Sequence, residues 1–272
     1  MNQLNLLNVV GVGPGDPELI TIKAVKALKS SDFIFYPDVT FGKNKAAYNI
    51  VKSGIEFIEL FGGRDIAAER LIPLEIEMKL SKGRNDELYR ENALKILGKL
   101  REGVCSYITI GDPMFYSTYW GLYNAVKDEA VKNNAELNIN IIGGISSFNY
   151  SFNLIGEPYI IKNSSVFITV PIKKDLKEME DEINFMAKKS AKPQVIVFMK
   201  AGAYLKNIME IFKNSYIDNF KEGKLKLYLI ERSKLLDGFC DNDLNLKTRI
   251  NNGGSEAGFD FDYFSILIGV FL

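Results

Sequence analysis

Three segments of the chain place glycine at or near the end of an apolar stretch, an arrangement that could bind a small polar ligand. They are residues 111–116 (GDPMFY), 143–148 (GGISSF) and 200–202 (KAG). The first follows residues 104–110, whose apolar, β-branched character predicts a buried strand. Open α/β sheets bind their ligands where a strand ends in a tight turn before a helix. An ordinary strand–turn–helix connection explains any one segment, whereas three together favour a ligand-binding site.

The sequence contains no histidine, and this absence limits the chemistry more than any other feature of the composition. It excludes Ser-His-Asp and Cys-His catalysis and zinc held by histidine. Cys105 and Cys240 are the only cysteines, so a disulfide framework is excluded, and Cys105 falls in the predicted strand as a small hydrophobe. We therefore expect no metal site, and a reaction that depends on carboxylates, tyrosines, lysines, backbone dipoles or a cofactor.

The charges of the chain balance, because 34 Lys and Arg residues face 34 Asp and Glu residues. A chain without net charge has no general attraction to nucleic acid or to an anionic membrane. No stretch is long and apolar enough to cross a bilayer, and residues 1–10 lack the basic start of a signal peptide. We therefore expect a cytoplasmic protein without nucleic-acid or membrane partners.

Residues 11–17 (GVGPGDP) follow a predicted first strand and invite comparison with a dinucleotide-binding loop. In the G-x-G-x-x-G fingerprint of that loop, the third glycine would fall on Asp16. Pro14 and Pro17 also remove two of the N–H donors that such a loop directs at a pyrophosphate. Asp38, after the second strand, could imitate the acid that binds ribose. A nicotinamide or flavin oxidoreductase is therefore the weaker alternative.

Strand and helix patterns alternate along the whole chain, which predicts an α/β architecture with mixed sheets. We expect two α/β domains, 1–160 with the glycine loops and 161–272. Residues 61–84 are interpreted as irregular and rich in cations. Thr21 is expected to cap one helix, and Ser117 or Thr118 another. Predicted strands cover residues 4–12, 33–36, 55–60, 104–110, 137–142, 166–170, 194–199, 225–230 and 263–272, and predicted helices cover 43–53, 86–99, 118–132, 174–188 and 203–212.

Taken in order, these segments resemble the tetrapyrrole (corrin/porphyrin) methylase family, whose members use S-adenosylmethionine. The likeness is carried by residues 11–19 followed by 21–24, by residues 111–113 with Tyr116, and by residues 144–148. Each motif is moderately specific by itself, and the three in order run nearly end to end. Gly143 departs from the family, which usually has proline there, and this should loosen the turn without removing it.

Within the family, the sequence is most similar to the branch that methylates C20 of precorrin-2 or of its cobalt complex in cobalamin biosynthesis. The pieces that favour this branch are residues 112–119, 198–202, 229–233 and 263–268. The main alternative is another methylase of the family, acting at a different corrin carbon, on uroporphyrinogen III or on the modified histidine of elongation factor. A non-catalytic tetrapyrrole-binding protein is a further alternative.

The resemblance implies two α/β domains with a cleft between them, a homodimer, and S-adenosylmethionine held folded and largely by main chain. Helix capping alone would also explain Ser146 or Ser147. Carried over by position, the residues that would contact the cofactor are Pro14, Ile110, Gly111, Asp112, Phe115, Ser146, Ser147, Met199, Ile230 and Ser265.

Methyl transfer from a sulfonium to a meso carbon needs alignment and a weak base, because the donor is already activated. Asp112, Tyr116 and water are the candidates for that base. A tetrapyrrole substrate with eight carboxylates also needs cationic partners, and arginine binds carboxylates bidentately. The candidate partners are Arg64, Arg70, Arg84, Lys200 and Arg232.

Overall fold

The computed structural model describes residues 2–39, 46–54, 58, 65–76, 82–188, 192–236, 242–244 and 262–272. Contacts divide the chain into two compact units, Met1–Ser147 and Phe148–Leu272. The two sheets are five-stranded, and helices alternate with their strands. The predicted α/β class is therefore confirmed. Within the described residues, no helix is both long and apolar enough to cross a membrane.

The first unit is a parallel sheet with its connecting helices. Its strands are β1 (Asn2–Gly11), β2 (Phe33–Val39), β3 (Leu71–Ile76), β4 (Cys105–Thr109) and β5 (Ala135–Ile142). Its helices are α1 (Ile22–Ser30), α2 (Ala46–Ser53), α3 (Lys82–Leu100) and α4 (Tyr119–Lys132). The strands lie in the order β3-β2-β4-β1-β5, and every described pairing is parallel. The prediction of a mixed sheet is therefore wrong for this unit, and the carboxyl ends of its strands meet at one edge.

Side chains of β1 alternate between two apolar layers, as a strand requires. Leu7 and Val9 belong to the cluster that includes residues of α3 and α4. Val10 belongs to the cluster that includes residues of α1 and α2. The polar Asn8 is also buried, and its Oδ1 accepts a hydrogen bond of 2.9 Å from Nδ2 of Asn140 on β5. Helices thus cover both faces of the sheet. The hydrogen bond from Asn140 gives the buried side-chain oxygen of Asn8 a partner.

β2 runs further than its sequence predicts, because it continues through Pro37 to Val39. β4 pairs only with its first three residues, Phe33 to Phe35. Beyond that point β3 is the one neighbour to which β2 is paired. A proline, which cannot donate to the ladder, is tolerated where a strand has an open side.

β3 lies in the stretch that we predict to be irregular. It is the edge strand of the sheet, where Leu74 and Ile76 are buried and Pro73 and Glu75 are exposed. Pro73, a residue that is rare in strands outside sheet edges, masks this alternation in the sequence. The strand predicted over residues 55–60 lies outside the described residues except for Ile58, whose backbone is helical.

The second unit contains a mixed sheet, as predicted. Its strands are β6 (Ser165–Thr169), β7 (Gln194–Phe198), β8 (Leu225–Glu231), β9 (Lys234–Leu236) and β10 (Ile266–Phe271). Its helices are α5 (Ser147–Ile155), α6 (Leu176–Met186) and α7 (Leu205–Lys221). The order is β6-β7-β10-β8-β9, with β6 parallel to β7 and the other pairs antiparallel. The carboxyl ends of β6, β7 and β8 therefore share an edge with the start of β10.

The boundary between the units falls at residue 147, before the expected position at 160. Phe148, Phe152 and Ile155 of α5 pack against the apolar cluster of the second sheet. Gly156, with a φ of 72°, marks the end of this helix. The helix nevertheless belongs to the second unit, because its tertiary contacts and not its end decide the boundary.

Candidate functional site

The carboxyl-terminal edge of the first sheet depends on close contacts between glycines. A Cβ atom added to Gly11 would lie 2.5 Å from the carbonyl oxygen of Gly111 and 2.6 Å from the amide nitrogen of Gly144. A Cβ added to Gly144 would overlap the same carbonyl oxygen. The end of β1 and the turns after β4 and β5 can therefore approach each other only because these positions lack side chains.

The loop after β1 is tied to the loop after β4 by main-chain hydrogen bonds. The amide of Gly111 donates to the carbonyl of Gly13 at 2.7 Å, and Gly13 donates back to Gly111 at 3.4 Å. Gly111 has a φ of 67°, in the left-handed region. A Cβ added there would find its nearest neighbours 3.8 to 3.9 Å away, and these are main-chain atoms of Ile145, Ser146 and Ser147. The main chain of residues 145–147 thus packs beside Gly111, within ordinary van der Waals distance of an added Cβ.

Asp112 connects the turn after β4 to the turn after β5. Its Oδ1 accepts the N–H of Met114 at 2.8 Å, and its Oδ2 accepts the N–H of Gly144 at 3.1 Å. Each oxygen of an ionised carboxylate has two acceptor positions, so both oxygens can accept a further hydrogen bond. The carboxylate therefore holds two loops in register, and each of its oxygens can accept one more hydrogen bond.

Three large side chains after Asp112 are turned toward solvent. Met114, Phe115 and Tyr116 are 45%, 44% and 41% exposed. Tyr116 also has a φ of 48°, which is uncommon for a residue with a bulky side chain. Strained backbone of this kind concentrates at ligand sites.

The helix after this loop is capped by one of the two predicted residues. Ser117 Oγ accepts the N–H of Tyr119 at 3.2 Å and donates to the carbonyl of Pro113 at 2.7 Å. Thr118 stands at the capping position but makes no capping bond, because its Oγ1 pairs with the hydroxyl of Tyr107 at 2.8 Å. Thr21 caps α1 as predicted, with its Oγ1 accepting the N–H of Ala24 at 3.2 Å.

The other cofactor positions predicted in the first unit lie at or next to this edge. Pro14 is half-buried in the loop after β1, and Ile110 packs half-buried against the cluster that includes α1 and α2. Ser146 is 7% exposed, so its main chain and not its hydroxyl faces Gly111. Ser147 is the first residue of α5.

The second unit brings its three predicted cofactor positions together at one edge of its sheet. Met199 follows β7, Ile230 lies near the end of β8, and Ser265 immediately precedes β10. The carbonyl of Ser265 accepts the N–H of Ala201 at 2.8 Å, and Met199 and Ile230 share an apolar cluster. All three residues are buried, and Ser265 Oγ donates to the carbonyl of Asp262 at 2.7 Å. Their side chains therefore pack inside the second unit, beneath the surface of this edge.

Charged side chains surround the same edge. Glu231 ends β8 and is only 4% exposed, yet its Oε1 accepts the N–H of Asp262 at 2.7 Å. Arg232 Nε donates to Asp262 Oδ2 at 2.8 Å, and this hydrogen bond to a carboxylate raises the pKa of the guanidinium. Lys200 is half-buried, and burial lowers the pKa of its ammonium. Its Nζ lies 5.5 Å from the ring centroid of Tyr263.

The turns at this edge contain an unusual number of left-handed residues other than glycine. Lys173 has a φ of 64°, Lys200 of 58°, Arg232 of 49° and Ser233 of 61°. The left-handed conformation costs an L-residue about 1–2 kcal/mol. Such strain persists where the surrounding structure imposes it, and it clusters at ligand sites.

The predicted substrate-binding arginines fare differently. Arg70 is 8% exposed, and its guanidinium donates to the carbonyl oxygens of Leu28, Ser31 and Asp65. Its guanidinium hydrogen-bonds main-chain carbonyls at the end of α1 and is buried away from solvent. The prediction that Arg70 binds a substrate carboxylate is therefore corrected. Arg64 and the side chain of Arg84 lie outside the described residues. Lys200 and Arg232 lie together at the second edge.

The sequence interpretation overlooked Glu231 and Asp262. The signal available for Glu231 was its place at the end of a predicted apolar strand, directly before Arg232. Asp262 carried no comparable signal, because its role depends on a contact with a residue 30 positions away. Cys105 can be set aside as a nucleophile, because burial raises the pKa of its thiol to about 12.

Residues 6–221 of the chain match the family model described as Tetrapyrrole (Corrin/Porphyrin) Methylases. A probable cobalt-precorrin-2 C(20)-methyltransferase of Methanocaldococcus jannaschii is 31% identical over 85% of this chain and 86% of its own length. A precorrin-2 C(20)-methyltransferase of Sinorhizobium is 26% identical over 73% of this chain and 74% of its own. A uroporphyrinogen-III C-methyltransferase of M. jannaschii is 48% identical, but over only 18% of this chain and 19% of its own.

Among solved structures, a cobalt precorrin-4 methyltransferase superposes with a TM-score of 0.60 at 14% identity, covering 97% of this chain and 94% of the other. At that identity the likeness concerns the fold alone. The family model spans the three glycine loops of the first sheet as well as β6 and β7 of the second. The chain therefore belongs to the tetrapyrrole (corrin/porphyrin) methylase family.

Proposed function

We propose that the protein transfers a methyl group from S-adenosylmethionine to C20 of precorrin-2 or cobalt-precorrin-2, in cobalamin biosynthesis. The observation that carries the proposal is the packing of Gly111 against the main chain of residues 145–147, with Asp112 hydrogen-bonded to both neighbouring turns. The choice of C20 is supported by the names of the two relatives that cover most of this chain.

The residues at Gly111 suit the positively charged sulfonium of this cofactor. Carbonyl oxygens and the faces of aromatic rings stabilise cations without a formal negative charge. The main chain of residues 145–147 lies beside Gly111, and Phe115 lies exposed after Asp112. Gly111, Asp112 and Phe115 would hold the cofactor here, with Ser146 and Ser147 contributing main chain. Met199, Ile230 and Ser265 remain predicted contacts of the adenine, on the resemblance alone.

The chemical task left to the protein is alignment, because S-adenosylmethionine supplies an already activated methyl group when it is bound. Fixing two reactants in line can contribute ~7–11 kcal/mol to catalysis. Asp112 serves this task by fixing the turns after β4 and β5. Its second acceptor positions also let it take the proton from C20, either directly or through water, and the exposed hydroxyl of Tyr116 is the alternative acceptor.

The substrate carboxylates would meet Arg232 and Lys200, the two predicted cations that lie together at the second edge. Arg64 and Arg84 stay predicted partners. A cytoplasmic location and a homodimer are also retained as parts of this proposal, and sedimentation of the purified protein would test the dimer.

The test is anaerobic incubation of the protein with S-adenosylmethionine and precorrin-2, with and without cobalt, followed by mass spectrometry. We expect one added methyl group, located at C20 by NMR with an isotope-labelled donor. Parallel incubation with uroporphyrinogen III tests the second candidate, which the short segment of high identity to a uroporphyrinogen-III methyltransferase favours. Methylation of uroporphyrinogen III alone would replace the proposal, and failure to bind S-adenosylhomocysteine would refute the cofactor.

A further inference from the structure

The hairpin between β8 and β9 has a turn whose residues are unusual for its geometry. Glu231 pairs with Lys234, so Arg232 and Ser233 are the two central residues. Both have positive φ, of 49° and 61°, as a type I′ turn requires. Asn-Gly is the preferred pair in this turn, because side chains beyond Asn fit the left-handed region poorly. The fold therefore keeps an arginine where the backbone disfavours it.

A buried carboxylate connects this turn to the segment before β10. Glu231 is 4% exposed, and its Oε1 accepts the main-chain N–H of Asp262 at 2.7 Å. Asp262 in turn accepts Arg232 Nε on Oδ2 at 2.8 Å. A path of hydrogen bonds thus runs from the end of β8, through residue 262, to the guanidinium in the turn.

The two partners of the ion pair differ in accessibility. The side chain of Asp262 is 12% exposed, whereas that of Arg232 is 79% exposed. The Nε contact orients the guanidinium, while most of the side chain stays open to solvent. Exposed ion pairs add little to the stability of a fold. Stability alone therefore does not account for a strained turn that ends in this pair.

We propose that Asp262 is a positioning residue that holds the Arg232 guanidinium ready to receive a carboxylate of the substrate, and that Glu231 fixes Asp262 for this task. The inference rests on the proposed function, since it takes the ligand to be a polycarboxylated tetrapyrrole. Immobilising a long side chain on binding costs affinity, and a guanidinium already held in place avoids that cost. Arginine then offers its paired N–H groups to the carboxylate.

Asp262→Asn separates positioning from folding. The Oδ1 of Asp262 accepts the N–H of Phe264 at 2.9 Å, and its main-chain carbonyl accepts the N–H of Ser265 at 2.9 Å. Asparagine keeps an oxygen for Phe264 but presents an amide N–H toward Arg232 Nε, so the local turn survives and the ion pair is lost. Asp243→Asn is the control, because Asp243 forms its ion pair with Lys221 at the end of α7, at 2.7 Å, and not with Arg232.

The expected result is a higher KM for the tetrapyrrole with no change in KM for S-adenosylmethionine. Asp262→Asn raises KM for the tetrapyrrole about fivefold, which is the cost of ordering one long side chain. Arg232→Ala raises it about tenfold or more, through loss of a charged hydrogen-bonding group. Both variants leave kcat and KM for S-adenosylmethionine within twofold of the wild type. Asp262→Glu restores part of the loss, and Asp243→Asn changes nothing.

A double-mutant cycle gives the decisive comparison. In the Arg232→Ala background, Asp262→Asn has no further effect on KM for the tetrapyrrole, because the group it positions is gone. A persisting fivefold effect would overturn the proposal, and so would equal changes in KM for both substrates or no change at all.

A binding measurement keeps this inference distinguishable from the proposed function. Uroporphyrin, which carries eight carboxylates, is titrated against the fluorescence of Trp120, the one tryptophan of the sequence. If the wild type binds uroporphyrin and Asp262→Asn weakens it, the inference stands even where C20 methylation fails. If both bind equally, the inference is wrong even where methylation succeeds. If the wild type neither binds nor methylates any tetrapyrrole, both are refuted.

Discussion

The two sheet edges of this protein are built by opposite means. The edge of the first sheet is made of main chain, with Gly11, Gly111 and Gly144 in mutual contact. The edge of the second sheet is made of charged side chains, with Glu231 and Asp262 bonded around the strained turn at Arg232. Main chain in fixed positions suits a compact ligand that the protein must align, whereas oriented cations suit a ligand with several carboxylates. Under the proposed function, the first edge would align the cofactor and the second edge would bind the substrate carboxylates.

The largest effect on stability is expected from a substitution at the glycine contacts of the first edge. Gly144→Ala places a Cβ on the carbonyl oxygen of Gly111, and this backbone cannot move aside without separating two turns. We expect a loss of about 3 kcal/mol in the free energy of unfolding, measured by urea denaturation. S-adenosylhomocysteine binding is expected to disappear with it.

Gly98→Ala is the control for this substitution. Gly98 lies inside α3, and a Cβ added there meets nothing within 4 Å. Alanine is the better helix former, so the control should gain about 1 kcal/mol. Equal changes in the free energy of unfolding for Gly144→Ala and Gly98→Ala would show that the close contacts at Gly144 do not require glycine.

Asp112→Asn tests whether the two hydrogen bonds that Asp112 accepts from neighbouring turns are needed for cofactor binding. Asparagine retains one oxygen and turns an N–H toward the second main-chain donor, so either Met114 or Gly144 loses its partner. We expect S-adenosylhomocysteine to bind about tenfold more weakly by calorimetry, since hydrogen bonds to a charged group are among the stronger ones. Asp128→Asn, on the exposed side of α4, should leave binding unchanged. Unaltered binding in Asp112→Asn would remove this residue from the site.

The smallest effect is expected at the second edge, where the backbone strain can be relieved. Lys173 is exposed and has a φ of 64°. Lys173→Gly relieves a left-handed conformation that costs about 1–2 kcal/mol, which raises the free energy of unfolding. Glycine also gives the unfolded chain more conformational freedom, which lowers the free energy of unfolding by about 0.4–1 kcal/mol. Thermal unfolding should therefore shift upward by about 1–2 °C. Lys95→Gly, inside α3, should shift it downward; a downward shift for both would mean that Lys173 is not strained.

Much of the first edge could be predicted from the sequence, because it depends on local signals. Glycine after an apolar strand marks a close approach or a left-handed turn, and Thr21 before an apolar helix marks its cap. The signals failed where a neighbour in space decided the outcome. Pro37 lies inside β2 because that strand has an open side there, and β3 forms because β2 offers it a partner.

Arg70 illustrates the same limit for function. In the sequence it is one of several cations in an apparently irregular stretch, and any of them could meet a carboxylate. In the structure it donates to the carbonyl oxygens of Leu28 and Ser31 at the end of α1. No local pattern around residue 70 indicates that contact, because its partner Leu28 lies 42 positions earlier.

The sequence by itself determined the α/β class, the family and the glycine loops, since all of these depend on residue type and order along the chain. The tertiary structure decided that every described strand pair of the first sheet is parallel, that α5 belongs to the second unit, and that Glu231 and Asp262 hold Arg232. The reason is the range of the interactions. Steric and capping preferences act over a few residues, whereas strand pairing, helix packing and ion pairs join residues whose separation the chain order does not reveal.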